Sequence, residues 1–468
     1  MQLSSFANKQ IKITIPGLFA VVISLIASVW ILIDFDKPAY YSMLFLLPLS
    51  FSVSSICFRS LYKKAMENLG VMIILIFFFV KTVLSPLLMS IGGYSQMMFI
   101  HIEENTLYAI LLMVYEVFTV FFFLTYFSQT PLPEQSVLYE KKPNITQLYK
   151  MWLLFALVVF FACICLAPEI LTSKRSIFQM NEQFFSNYED TVTIEKYSGS
   201  FVTKFAAVTG NYMMKIMTVL LPAYLIIKIA RKQTRFRKKL AFLVSLTPLL
   251  FVGGAIARSL IYVVSLLFLI NYMFHIHNFR KKSFWLLGMG GIFVIVYWLL
   301  TADSENIMGQ LAGRFNSYFS GVNIVAGTFN LPENFSYRLK YLFQDFFRTI
   351  PYGNTIFNFS GDTVQQFFNN YNNTHGQIPP SIGMGCYYLG PLFAPVFSIL
   401  FARISYLSGE QLRKNQSGNP FGCLRHILTV FYVSMGICMY NIEITMTNIY
   451  SVLLPMYILE RFSYKKVK

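Results

Sequence analysis

The sequence predicts an all-α polytopic integral membrane protein of about 12 transmembrane helices, with N- and C-termini cytoplasmic and two large external loops. Three observations predict it. Many runs of 16 to 22 residues carry no charge, close to the roughly 20 that a helix needs to cross a hydrocarbon core of about 30 Å. Of 468 residues, 56% are apolar, 17% aromatic and only 13% charged, more apolar than a soluble core of this length requires. Lys and Arg alternate between rich and poor loops. Because lipid cannot satisfy backbone polar groups and the runs do not alternate apolar with polar, helices are favoured over a barrel.

The expected spans are 15–33, 40–58, 71–89, 107–127, 151–166 and 206–227, followed by 240–252, 257–274, 284–300, 384–401, 426–440 and 444–459. The first lacks a small-residue cleavage site and reads as a retained helix. The stretch 240–274 decides the parity, being long enough for one tilted helix or two short ones. Arg231, Lys232, Arg235, Arg237, Lys238 and Lys239 precede it, while Arg280, Lys281 and Lys282 follow it. Positive loops stay cytoplasmic, so the chain must cross twice here. Gly253-Gly254 is the natural break, leaving Arg258 near the outer mouth. On this arrangement 26 of the 38 Lys and Arg are cytoplasmic, whereas 15 of the 21 Asp and Glu are external.

The net charge of +17 arises in short loops beside apolar spans, which marks topology and contact with anionic lipid, not nucleic acid. Six cysteines form no disulfide or zinc framework, and Cys163-x-Cys165 reads as packing. The chain is expected to be a single membrane domain over 1–468, with external loops at 169–205 and 301–383. Loops this long are usually functional. The second carries Phe335, Leu339, Leu342, Phe343, Phe346, Phe347 and Ile350 at helical spacing. This predicts an amphipathic interfacial helix, begun near Ser336 and stopped by Pro351, with Arg338 and Arg348 near its ends.

An external arginine works against the positive-inside bias, so each asks for a partner. Arg175, Arg258, Arg314, Arg338 and Arg348 are the candidates. A guanidinium is always charged and binds phosphate through two parallel donors, which suits a diphosphate at a membrane surface. The alternative is an ion pair with Glu189, Asp190, Glu333 or Asp345. His375, in the run Asn372 to Gly383 ahead of a span, is either a proton acceptor for a sugar hydroxyl or a loop histidine bonded to backbone.

Asp34-Phe35-Asp36 has the spacing of a metal-holding carboxylate pair, but its short loop favours a solvated turn. Lys81, Glu116 and Lys215 lie within spans and either pair across helices or snorkel. External aromatics including Phe184, Tyr188, Phe315, Tyr318, Phe367 and Tyr371 either stack on sugar rings or pack the loops. Phosphate-cradling Gly-rich loops, metalloprotease His pairs and nucleophile elbows are missing.

The layout of spans and loops resembles the bacterial oligosaccharide repeat-unit polymerases, the Wzy-like O-antigen and capsule polymerases. Gly253-Gly254-Ala255-Ile256-Ala257-Arg258 resembles the small-residue and arginine element that opens a central span in that family and in the related ligases. Gln377-Ile378-Pro379-Pro380-Ser381-Ile382-Gly383, with Tyr387-Tyr388-Leu389-Gly390-Pro391-Leu392 after it, resembles the family's loop-to-helix junction. Met384 departs from the pattern, because many members carry an acidic residue there, so no catalytic carboxylate stands at that position.

The resemblance implies polymerisation of undecaprenyl-diphosphate-linked oligosaccharide repeat units at the outer face of a bacterial inner (cytoplasmic) membrane. It also implies no cofactor, and a chain-length regulator and a flippase as candidate partners. Arg258, Arg338 and Arg348 would then stabilise the leaving diphosphate, Arg175 and Arg314 would bind diphosphate or sugar, and His375 would be the base. Two alternatives stay open: a ligase or other lipid-linked glycan transferase, and a lipid-linked oligosaccharide flippase.

Overall fold

The computed structural model describes residues 14–94, 104–130, 139–141, 145–168, 200–250, 256–274, 307–319, 321–357, 361–374, 376–414, 419–462 and 464–466, with single positions at 359 and between 288 and 299. Side chains of 139–146, 256–258, 355 and 464–466 lie outside the description.

Eight of the described helices are long and apolar enough to cross a membrane: Ile15–Ile33, Ala39–Cys57, Leu69–Ile91, Thr106–Gln129, Gln147–Leu166, Phe201–Ile229, Pro420–Cys438 and Ile442–Phe462. They fall on eight of the twelve expected spans, and the chain is a multi-pass membrane protein. In chain order the helices used below are α1 (Ile15–Ile33), α2 (Leu46–Cys57), α3 (Ser60–Ala65), α4 (Leu69–Phe79), α5 (Ser85–Ile91) and α6 (Thr106–Gln129). They continue as α7 (Ile145–Leu166), α8 (Phe201–Ile229), α9 (Arg235–Ser245), α10 (Ile256–Met273), α11 (Ile307–Tyr318), α12 (Val322–Gly327) and α13 (Phe335–Phe347). Last come α14 (Val364–Tyr371), α15 (Ser381–Leu389), α16 (Val396–Lys414), α17 (Pro420–Cys438), α18 (Ile442–Asn448) and α19 (Leu454–Phe462).

Four expected spans take another form or lie outside the description. The stretch 240–252 is the end of the short helix α9, which gives way to a 3₁₀ turn at Thr247–Leu250, where Pro248 withholds a backbone donor. Its partner α10 runs back: Gln233 donates to the Met273 carbonyl at 3.2 Å, and Lys238 lies 5.6 Å from the Phe274 ring centre. Both ends of 233–274 therefore meet. The stretch 284–300 is described only at single positions. The stretch 384–401 is broken: α15 stops at Gly390, whose φ of 80° favours glycine, and α16 starts after Pro391 and Pro395.

Helix α17 is the axis of the bundle, since its residues pack in both of the larger apolar clusters. Small residues allow close approach in a setting where lipid is as apolar as the helix itself. Ser405 and Ser434 share a hydrogen bond of 2.8 Å between α16 and α17. On α4, a Cβ at Gly70 would lie 2.3 Å from the Ser405 carbonyl oxygen. Gly70→Ala is therefore expected to lower stability by about 1–3 kcal/mol, read by thermal unfolding in detergent; an unchanged unfolding temperature would contradict this approach.

The bundle has two chemically distinct ends. At one, Asp34 accepts from Ser90 at 2.5 Å and Tyr94 at 2.8 Å, Tyr41 donates to Asn323 at 2.5 Å, and Asn105 donates to Asn330 at 3.0 Å. At the other, Glu410 takes Lys64 at 2.9 Å, Asn68 at 2.9 Å and Arg413 at 2.7 Å, while Arg425 donates to Glu460 at 2.6 Å. The strands Tyr139–Lys141 and Tyr464–Lys466 pair antiparallel, joining the segment after α6 to the tail that follows α19. Contacts thus link loops expected on one side with each other.

Candidate functional site

The described part of the loop 301–383 folds as short helices and meets the Asp34 end through Asn323 and Asn330. Asn334 begins α13 by accepting from the Ser336 amide at 3.0 Å, two residues ahead of the arginine of interest. The apolar stripe of α13 divides. Phe335, Leu339 and Phe343 are exposed, whereas Leu342 and Phe346 pack on the core and Tyr341, Gln344 and Asp345 are buried. The helix therefore buries Gln344 and Asp345 beside Leu342 and Phe346 and turns an apolar row outward, an arrangement suited to an interface with lipid.

Arg338 lies half-buried on this helix, its guanidinium 5.6 Å from the Tyr387 ring centre. Its Nε is buried without a hydrogen-bond partner among the described residues. Around it, Tyr341 and Phe367 stack at 4.0 Å, Phe367 and Tyr371 meet edge-on at 5.0 Å, and Phe367 lies 6.3 Å from Tyr387. Burial, and then the charge of Asp362, pushes the Tyr341 hydroxyl up to about 12, so it stays protonated and able to donate. A charged donor with one unused N–H beside aromatic faces can bind an anion and a ring at once.

Arg348 is placed differently from the expectation. It is 8% exposed, and its Nη1 donates to the carbonyls of Gly361 at 3.3 Å and Asp362 at 3.2 Å. It ties the end of α13 to a turn, and no acidic side chain among the described residues pairs with it. Arg314 is half-buried on α11, a different helix. For Arg258 only the backbone, in the first turn of α10, is described. Arg175 and His375 lie outside the described residues.

The loop that carries His375 is nevertheless held on both sides by Asn369, which sequence reasoning missed. Thr374 donates to Asn369 Oδ1 at 2.8 Å, as does the Gln377 amide at 3.0 Å, and Asn369 Nδ2 donates to the Gln377 carbonyl at 2.9 Å. Asn373 and Gly376 take positive φ on either side of the turn. An Asn five residues ahead of Thr374 at a helix end is a recognisable turn former, so the signal was present.

Asp345, expected as an ion-pair partner for an external arginine, is instead a buried carboxyl bonded to a tyrosine. Asp345 is fully buried, Tyr388 donates to its Oδ2 at 2.8 Å, and its Oδ1 has no partner among the described residues. Burial, reinforced by the nearby Glu443 charge, holds its carboxyl well above the ordinary value of 3.8. A buried polar atom left unbonded costs roughly 1–3 kcal/mol, and ionising this one costs more. Its stabilising contribution is thus complete below 3.8 and is lost as pH rises through the higher folded value. Asp345→Asn is expected to gain stability relative to wild type as pH rises, measured by thermal unfolding from pH 4 to 9; a pH-independent difference would remove Asp345 as the cause.

Asp34 of the first loop is engaged by Ser90 and Tyr94, and no cluster among the described residues has the donors for a metal ion. Lys81 and Glu116 pair at 2.7 Å with no exposed side-chain surface, and Ser398 donates to the other oxygen of Glu116 at 2.6 Å. Lys215 rests 5.9 Å from the Tyr212 ring centre. Comparison with family models, with curated proteins and with solved structures finds no match to this chain.

Proposed function

We propose that this chain polymerises undecaprenyl-diphosphate-linked oligosaccharide repeat units into a surface polysaccharide, at the outer face of a bacterial inner membrane. The observation that carries the proposal is Arg338: a guanidinium with an unused buried N–H, set among aromatic rings at the end of the bundle opposite the cluster of Lys64, Arg413 and Arg425. The positive-inside rule puts the latter end in the cytoplasm, and with it the Asp34 end and the long loop outside. The outward row Phe335, Leu339 and Phe343 supports a lipid-facing position for the same helix, where a prenyl chain would lie.

In the proposed reaction a hydroxyl of the incoming lipid-linked repeat unit attacks the anomeric carbon at the reducing end of the growing glycan. The bond from that carbon to the diphosphate oxygen breaks, the hydroxyl proton passes to a base, and the lipid diphosphate leaves. Negative charge grows on the diphosphate as the bond breaks, so a fixed guanidinium stabilises the transition state more than the ground state. Arg338 takes this role, with Arg258, Arg175 and Arg314 as further anion contacts and His375 as the base. Arg348 is proposed only as the tie that positions α13.

A ligase would use the same donor and the same leaving group, and the products separate the two. Glycans from a strain lacking the chain are resolved by size. Single repeats attached to the final acceptor indicate a polymerase, whereas long polymer retained on the lipid carrier indicates a ligase.

A further inference from the structure

We infer that the seam between α13 and α18, formed by Gln344, Asp345, Asn441 and Glu443 with Tyr388, is a subsite that binds the hydroxyl groups of a sugar ring. It rests on the proposed glycan substrate and adds a place where one ring of it is read.

The seam is defined by buried polar atoms of Gln344, Asp345 and Asn441 that have no hydrogen-bond partner among the described residues. Gln344 is 1% exposed, and neither its amide nitrogen nor its amide oxygen has a hydrogen-bond partner among the described residues. Beside it, Asp345 spends one oxygen on Tyr388 and leaves the other unbonded. Across the seam, Asn441 caps α18 by accepting from the Ile444 amide at 2.8 Å, and its Nδ2 is unbonded. Glu443, 3% exposed, stands close enough to act on the Asp345 carboxyl. Native proteins leave few such atoms, and here they gather on facing helices.

Their chemistry selects the ligand. Phosphate would meet two carboxyl groups, and a bare cation would meet amide N–H groups. A hydroxyl both donates and accepts, and two hydroxyls on adjacent ring carbons match the paired donor and acceptor of one primary amide. Gln344 offers that pair, Asn441 adds a donor, and Asp345 adds its second oxygen. Polar groups left unbonded without ligand and satisfied with it also give discrimination, because an analogue lacking the hydroxyl leaves them unpaired again.

The test uses the full chain in lipid nanodiscs and, as probe, the single repeat-unit oligosaccharide released by mild acid from the host's own lipid carrier. Thermal unfolding is followed while the oligosaccharide is titrated. Wild type is expected to unfold at a higher temperature as the oligosaccharide is added. Gln344→Leu without ligand is expected to unfold at or above the wild-type temperature, since it removes two unbonded polar atoms, yet to bind the oligosaccharide about tenfold or more weakly. Gln344→Met, closer in length, gives the same reading if Leu disturbs the packing. Undiminished affinity in a folded Gln344 variant, or no response from wild type, would overturn the subsite and leave these atoms to water. Chain-length ladders from the same strains report separately on polymerisation: ladders that depend on the chain with binding indifferent to Gln344 remove the subsite alone, and ladders indifferent to the chain remove the proposed function.

Discussion

Arg338→Ala is expected to abolish long glycan chains while the protein stays in the membrane at wild-type abundance. The fold asks little of this side chain: its contact with Tyr387 is a cation–π contact of about 0.5–2 kcal/mol, and no acidic partner among the described residues is stranded by its removal. A preorganised donor aimed at developing charge carries far more, about 10²–10³ in rate when one is deleted. Arg338→Lys is expected to restore little, because an ammonium is a point charge and cannot present two parallel N–H groups. Glycan ladders from a complemented deletion strain, with an immunoblot of its membranes, give both quantities. Full ladders at normal abundance would take Arg338 out of the mechanism.

The second large effect is on stability. Lys81 and Glu116 face each other with no exposed side-chain surface, so removing either strands a charge where neither water nor another described side chain replaces its partner. Lys81→Met or Glu116→Leu alone is expected to cost about 3–5 kcal/mol. The double variant should recover most of that loss, because no charge then remains to be desolvated. The pair sits where α4 leaves regular geometry, in the π-helical turn Val80–Leu84, and Ser398 of α16 closes it from a third helix. Its role is accordingly to fix how three helices meet, including the one that follows the break at Gly390. A double-mutant cycle read by thermal unfolding decides it. Losses that simply add would mean that the two charges are not coupled.

Long apolar runs such as Ile15–Ile33 and Thr106–Gln129 are legible in the sequence because a membrane helix satisfies its own backbone and needs only length and hydropathy. The return of 240–274 is legible for a related reason, since basic residues flank it on both sides. The break within 384–401 is a different case: Gly390, Pro391 and Pro395 stand in the sequence, but the apolar residues around them outweigh that signal in any hydropathy reading. Loop 301–383 is only half legible. The periodicity of α13 gives the helix and the place of Arg338, yet it says nothing of which side faces the protein. Exposed Phe335, Leu339 and Phe343 suit the interfacial helix expected here, but spacing alone does not single out Gln344 and Asp345 as the buried positions. Asn441 acts through a contact with neighbouring backbone, which spacing alone does not rank above other asparagines.

Everything proposed for Arg338 and the α13 seam requires that loop 301–383 face away from the cytosol. Single cysteines at Lys340, exposed on α13, and at Lys232, exposed at the opposite end, test this in a background lacking the exposed native thiols Cys57 and Cys165. A membrane-impermeant maleimide applied to intact cells is expected to label Lys340→Cys and to spare Lys232→Cys until the cells are opened. Labelling of Lys232→Cys in intact cells with Lys340→Cys protected would contradict the orientation and, with it, the proposed function.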